Sequence, residues 1–198
     1  MELADAIRRR RMVRSYDGRP LAPGVLDRLL AAAVRAPSAG FTQGWGFVVL
    51  DGHDQTERFW RRTLPADRRD GFPWPGLLRA PVLVLPMASR QAYLDRYAEP
   101  DKGSVPPEEQ HWRVPYWDVD CAFATMSLLL AAVDEGVGAL FFAIAAGEAE
   151  LLADLGVPPE FRPIGAVALG HPADDDRPSS SLARGRRPLG EVVHRGGW

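Results

Sequence analysis

Ala36-Pro37-Ser38-Ala39-Gly40-Phe41-Thr42-Gln43-Gly44-Trp45-Gly46-Phe47 is the stretch on which the reading of this 198-residue chain turns. Upstream of it, Val25, Leu26, Leu29, Leu30 and Ala33 recur at helical spacing behind Pro23, a proline tolerated in a first helical turn. Pro37 stops that helix, because the residue before a proline is pushed out of the helical region. Downstream, Trp45 to Leu50 reads as a strand that Asp51-Gly52 ends. Between helix and strand the side chains are small, so backbone N–H groups can come close to a ligand. Taken alone, the segment reads as an ordinary helix-to-strand connection.

Outward from this turn, the pattern alternates between helices and strands. Leu3 to Arg11 is expected to be a short helix with Leu3 and Ile7 on one face, followed by a connection from Arg14 to Leu21. Thr56 to Leu64 reads as a helix, and the apolar run from Ala80 to Met87 as a buried strand. Residues 101–115 are rich in proline and charge and are expected to be loop. Glu108, Glu109 and His111 there come nearest to a metal-ligand cluster, but read as a solvated loop. Trp117 to Glu135 is apolar on nearly every face, which marks a central buried helix ended by Gly136 and Gly138. Leu140 to Ala145 and Ile164 to Leu169 read as strands, with a helix over Gly147 to Leu155 between them. The tail from Asp174 is polar, yet ends on Val192, Val193 and Trp198, as expected of a tail that carries a strand onto another surface.

Composition narrows the function classes. At 46% hydrophobic residues the chain can bury a core, and a net charge of −2 gives no support to nucleic-acid binding. Cys121 is the only cysteine, so neither an intrachain disulfide nor a cysteine-based zinc site is available. The run from Val119 to Val133 is interrupted by Asp120 and flanked by Asp134 and Glu135, which argues against a membrane span. The N-terminus is charged and lacks a signal-like apolar run, so a cytoplasmic protein is the expectation. No GxGxxG follows a strand, and there is neither a P-loop lysine motif nor a GxSxG elbow.

The basic residues are clustered instead. Arg10 and Arg14 bracket a helix end in Ile7-Arg8-Arg9-Arg10-Arg11-Met12-Val13-Arg14-Ser15-Tyr16, and guanidinium groups suit a terminal phosphate. Leu182-Ala183-Arg184-Gly185-Arg186-Arg187-Pro188-Leu189 sets Arg184 and Arg186 on one side of an extended segment. Each segment alone also reads as exposed basic surface. In this order and at these chain positions, however, RRMVR, PSAGFTQGW and RGRRP, with EGVGALFF and AVALGHP between them, resemble the FMN-dependent nitroreductase family across essentially the whole chain.

The resemblance implies an α+β fold, a nitroreductase-like mixed sheet flanked by helices, as a single domain over residues 1–198. It implies a two-fold homodimer in which the tail, residues 176–198, is swapped across to embrace the other subunit. Residues 72–117, which hold Phe72, Trp74, Tyr93, Tyr97, Trp112, Tyr116 and Trp117, would form a variable lid and substrate wall. FMN would be the cofactor, with Arg10, Arg11, Met12 and Arg14 along its phosphate and ribityl side and Arg184 and Arg186 at the phosphate. Pro37, Ser38 and Ala39 would come from the partner subunit, and Phe141, Phe142 and Ala143 would lie against the isoalloxazine ring. Asp120 falls close to a position that often approaches the flavin. The implied activity passes a hydride from NAD(P)H through flavin N5 to a small aromatic acceptor such as a nitroaromatic or quinone, with no catalytic side chain and no metal required. Relatives of the fold instead dehydrogenate peptide rings, fragment flavin or use a deazaflavin, and a non-catalytic flavin or ligand binder on the same scaffold is a further alternative. Departures from the family pattern are Met12 for serine, Phe41 for asparagine and Gly44 for proline.

Overall fold

β2 (Val82–Ser89) is the spine of the molecule, and its side chains divide between two cores. Leu83, Leu85 and Met87 face one side of the sheet and Val82 and Val84 the other, the two-residue alternation of a strand buried on both faces. The computed structural model describes residues 1–103 and 112–198. β1 (Trp45–Asp51) pairs with one side of β2 along its whole length. The other side is shared, Val82–Val84 pairing with β5 (Ala166–Gly170) and Met87–Ser89 with β4 (Phe161–Pro163). β3 (Gly138–Phe142) pairs with β5, giving the order β1-β2-β5-β3. Every one of these ladders is antiparallel, and among the described residues the parallel component of the mixed sheet is a single bridge between Met12 and Ala139.

On one face, α3 (His53–Thr63) buries Thr56, Phe59 and Trp60, a helical stripe that packs with Leu151 of α6 (Glu148–Leu155). On the other, α2 (Val25–Ala33) buries Val25, Leu29 and Ala33 against Leu128, Leu129 and Ala132 of α5 (Tyr116–Asp134). α5 is long and apolar enough to cross a bilayer by length and composition, but it lies against the sheet and α2, with Cys121, Ala124, Thr125 and Leu128 buried. α1 (Leu3–Arg9) rests on α5 and leaves Leu3 and Ile7 exposed.

Several elements differ from the sequence reading. α4 (Arg90–Tyr97) was not anticipated: it has almost no apolar stripe, and its readable signal is Ser89, whose hydroxyl accepts the Ala92 N–H at 3.2 Å. β3 begins two residues earlier than the expected Leu140 and stops at Phe142, so Ala143 to Ala145 lie outside it. The tail makes no strand on its own chain. It forms short 3₁₀ turns at Ser180–Arg184 and Leu189–Glu191. Glu108, Glu109 and His111 lie outside the described residues, as does most of the expected loop between 101 and 115.

Candidate functional site

The chain leaves α1 at Arg10 and runs beside β3, where Val13 N–H donates to Ala139 O at 2.9 Å. Val13 and Tyr16 turn inward and are buried, so Arg14 between them points away from the core. The Tyr16 hydroxyl lies 3.0 Å from both the Val13 and the Ala168 carbonyls. Burial, reinforced by the Asp176 carboxylate, pushes its phenol well above the usual range.

Asp176 ties this segment to the start of the tail. Its Oδ1 accepts the N–H groups of Arg14 at 2.7 Å and Ser15 at 3.0 Å, and its Oδ2 pairs with the Arg11 guanidinium. Beside it, Asp175 accepts from the Ser15 hydroxyl at 2.5 Å, and this bond first, then Arg79, holds its carboxyl below the usual range. The two walls so joined enclose a cleft of about 240 Å³ lined by Arg10, Arg11, Met12, Arg14, Pro178, Ser179, Leu182 and Arg186. Arg14 is steadied by a bond from Nη1 to Met12 O (3.2 Å) and by stacking on Trp74, 5.2 Å from guanidinium carbon to ring centroid. Arg10 Nη1 is shut off from solvent without a hydrogen-bond partner. A shielded, unsatisfied guanidinium nitrogen among other arginines is the signature of a site for an oxyanion, and the apolar Met12 and Leu182 beside it suit an organic ligand carrying that anion.

Of the residues singled out from sequence, Arg10, Arg11, Met12, Arg14 and Arg186 thus meet in one cleft. Arg184 does not line the cleft, and the extended run expected through Arg184 and Arg186 is not formed. Arg184 ends a 3₁₀ turn, and Gly185 follows in a left-handed conformation (φ 68°). Phe141 and Phe142 alternate across β3. Phe142 stacks on Trp60 inside the core (5.9 Å, 10° between planes), Phe141 packs toward the opposite face, and Ala143 is exposed beyond the strand.

Pro37, Ser38 and Ala39 lie in the turn before β1, away from the arginine cleft of their own chain. That turn is held from three directions. Ser38 Oγ accepts Gln43 N–H at 3.0 Å, Asp120 Oδ2 accepts Ala39 N–H at 2.7 Å, and Arg96 donates to Gly40 O at 2.9 Å. The same Asp120 oxygen accepts the Tyr93 hydroxyl at 2.6 Å, so this buried carboxylate braces the turn and α4 together. Phe41 and Gln43 are the two non-glycine residues with positive φ among those described, at 54° and 52°, and the Phe41 ring is 74% exposed. Asp175, Asp176, Ser179 and Leu182 were not anticipated in the site. The signal available for the acids was the triplet Asp174-Asp175-Asp176 after β5, opposite in sign to the arginine element but some 160 residues from it.

Comparison with known proteins agrees with this architecture. A family model described as the nitroreductase family matches residues 7–171. A protein of Archaeoglobus fulgidus, named by inference an NADH dehydrogenase/NAD(P)H nitroreductase, is 28% identical over 169 residues, 84% of this chain and 83% of its own. An NADPH-dependent oxidoreductase of Staphylococcus aureus is 22% identical over 191 residues, 95% of this chain and 70% of its own. A crystal structure from Desulfovibrio desulfuricans, of a protein named by inference a nitroreductase and in complex with FMN, superposes with a TM-score of 0.71 at 24% identity, covering 100% of this chain and 98% of that one. The chain belongs to the nitroreductase family.

Proposed function

We propose that the protein is a cytoplasmic, homodimeric FMN-dependent oxidoreductase that takes a hydride from NAD(P)H and delivers it to a small aromatic acceptor such as a nitroaromatic or a quinone. The observation that carries this reading is the shielded, partnerless Arg10 Nη1 in a cleft shared with Arg14 and Arg186. Those three guanidiniums fit a terminal phosphate, to which Arg184 would add a fourth charge from the neighbouring turn, and Met12 would lie along the ribityl side through its backbone. Bound FMN would supply the two-electron redox centre, and the protein would contribute binding, orientation and exclusion of water. Pro37, Ser38 and Ala39 lie outside their own chain's cleft, which accords with their being offered to the cleft of a second copy. Phe141, Phe142 and Ala143, at the end of the strand beside Met12, are proposed to back the ring through the β3 terminus.

Titration with FMN and riboflavin, followed by flavin fluorescence, tests the assignment. FMN should bind and the dephosphorylated flavin should bind more weakly. Arg14→Ala removes a charge-assisted contact worth about 1.5–3 kcal/mol, so it should weaken FMN tenfold or more while leaving riboflavin nearly unchanged. An equal loss for both ligands would remove Arg14 from the phosphate site. Anaerobic bleaching of the bound flavin by NADPH or NADH then separates a reductase from a ligand binder, the reading that Met12 and the exposed Phe41 favour because both lack the family's polar groups.

A further inference from the structure

Four arginines line the cleft, but one of them is already engaged. Arg11 pairs with Asp176, whose side chain is only 1% exposed. A carboxylate buried to that degree strongly resists losing its cation, since an uncompensated buried charge is costly. Arg10, Arg14 and Arg186 have no carboxylate partner among the described residues. The two oxygens of Asp176 also do separate work. Oδ1 holds the backbone at Arg14 and Ser15, whereas Oδ2 holds Arg11.

From this division of labour we infer that Asp176 is a specificity-determining residue, which withholds Arg11 from the cleft and so leaves three free guanidiniums, a set suited to the oxygens of one phosphate rather than to the larger oxygen set of a pyrophosphate. The inference rests on the cleft being the flavin-phosphate site, and it names the ligand class more closely. A flavin mononucleotide satisfies three guanidiniums, whereas the diphosphate of a dinucleotide would call for the fourth. Asp176 acts through Arg11 and through the backbone, so it is a positioning residue and touches no reacting atom.

Asp176→Asn isolates the effect, because an amide oxygen can replace Oδ1 toward the two N–H groups while the amide nitrogen cannot hold a guanidinium. Affinities for FMN, riboflavin, inorganic phosphate and inorganic pyrophosphate would be measured by fluorescence and calorimetry on the full chain. In the variant, a freed Arg11 adds a charge-assisted contact that only the larger anion can use, so pyrophosphate should tighten about tenfold while FMN stays within about threefold and riboflavin is unchanged. Adding Arg11→Ala to Asp176→Asn should return pyrophosphate to wild-type affinity. A purely structural role predicts that FMN and riboflavin weaken together, and that result, an unchanged pyrophosphate affinity, or an FMN gain as large as that of pyrophosphate overturns the inference. If wild type binds no flavin, the reading of the cleft as a flavin site fails. A gain of pyrophosphate affinity in Asp176→Asn would still uphold the withholding of Arg11, and its absence would overturn it. Should the variant not fold, wild type alone decides. Phosphate and pyrophosphate should then bind within about threefold of each other, since three guanidiniums already saturate one phosphate, and a pyrophosphate preference well beyond that would show that Arg11 is available.

Discussion

At Phe41 the backbone departs from what its side chain prefers. A bulky residue at φ 54° costs of order 1–2 kcal/mol relative to ordinary backbone, and such positions cluster where ligands are held. Asparagine visits this region several times more readily. The family pattern has asparagine here, so Phe41→Asn should keep the turn, relax the strain and offer an amide to the ligand. One added hydrogen bond contributes about 0.5–1.5 kcal/mol, so FMN affinity should rise roughly threefold to tenfold in a direct titration. A loss of affinity would instead assign the binding to the exposed ring. The adjacent Arg96 makes a second measurable prediction. Its forked bonds to Asp101, both 2.7 Å, hold that carboxyl down at about 2. A depressed folded value means that the pair supports the fold above the ordinary aspartate pKa, and that this support fades as pH falls from about 4 toward 2. An NMR titration should find the Asp101 midpoint near 2. Arg96→Gln should bring it back toward the ordinary value of about 3.9. Asp101 is exposed and Arg96 partly so, so added salt should shrink the difference. The type of residue needed in the cleft was legible in sequence, because only guanidiniums suit a phosphate fork. The positive φ values at Phe41 and Gln43 were not, because neither residue type announces them.

Elements were readable where burial imposes a period and unreadable where polar bonds do the organising. β2 was visible as an apolar run because both its faces are covered, and α5 because it is surrounded by sheet and α2. α4 was invisible because it buries little beyond Tyr93 and is fixed by Ser89 and Asp120 instead. Asp120 was legible only as a break in an apolar helix. Its role depends on Ala39 and Tyr93, which are 81 and 27 residues away. Asp120→Ala would leave a buried hydroxyl and a backbone N–H without their acceptor. Each orphaned donor costs about 1–3 kcal/mol, so urea denaturation should show a loss of about 2–4 kcal/mol. Asp120→Asn keeps an acceptor oxygen and should lose clearly less. If the two variants were equally stable, the carboxylate would not be bracing the turn through these bonds.

Many of the apolar residues left uncovered lie on two surfaces. One is formed by α1 and α5, where Leu3, Ile7, Phe123 and Met126 are exposed, and the other by the tail, where Leu182, Leu189, Val192, Val193 and Trp198 touch little of their own chain. Trp198 is fully exposed, which a tail folded for a monomer would not favour, since burying such a ring is worth a few kcal/mol. Among the described residues β1 has a strand partner on one side only, which leaves its other edge to take a strand. A swapped tail would cover that edge and give its apolar residues a place to pack, and it would explain why the tail makes only 3₁₀ turns when seen on one chain. Removing residues 188–198 tests this without touching Arg184 or Arg186. The α1–α5 face would remain, so association should weaken rather than vanish, with monomer appearing in sedimentation at concentrations where the full chain is dimeric. FMN should weaken in parallel, because in the proposed dimer Pro37 to Ala39 would come to the arginine cleft from the second copy. A truncated protein that stays fully dimeric and binds FMN unchanged would rule out the swapped tail. Loss of dimer with FMN affinity intact would instead place the whole flavin site within one chain.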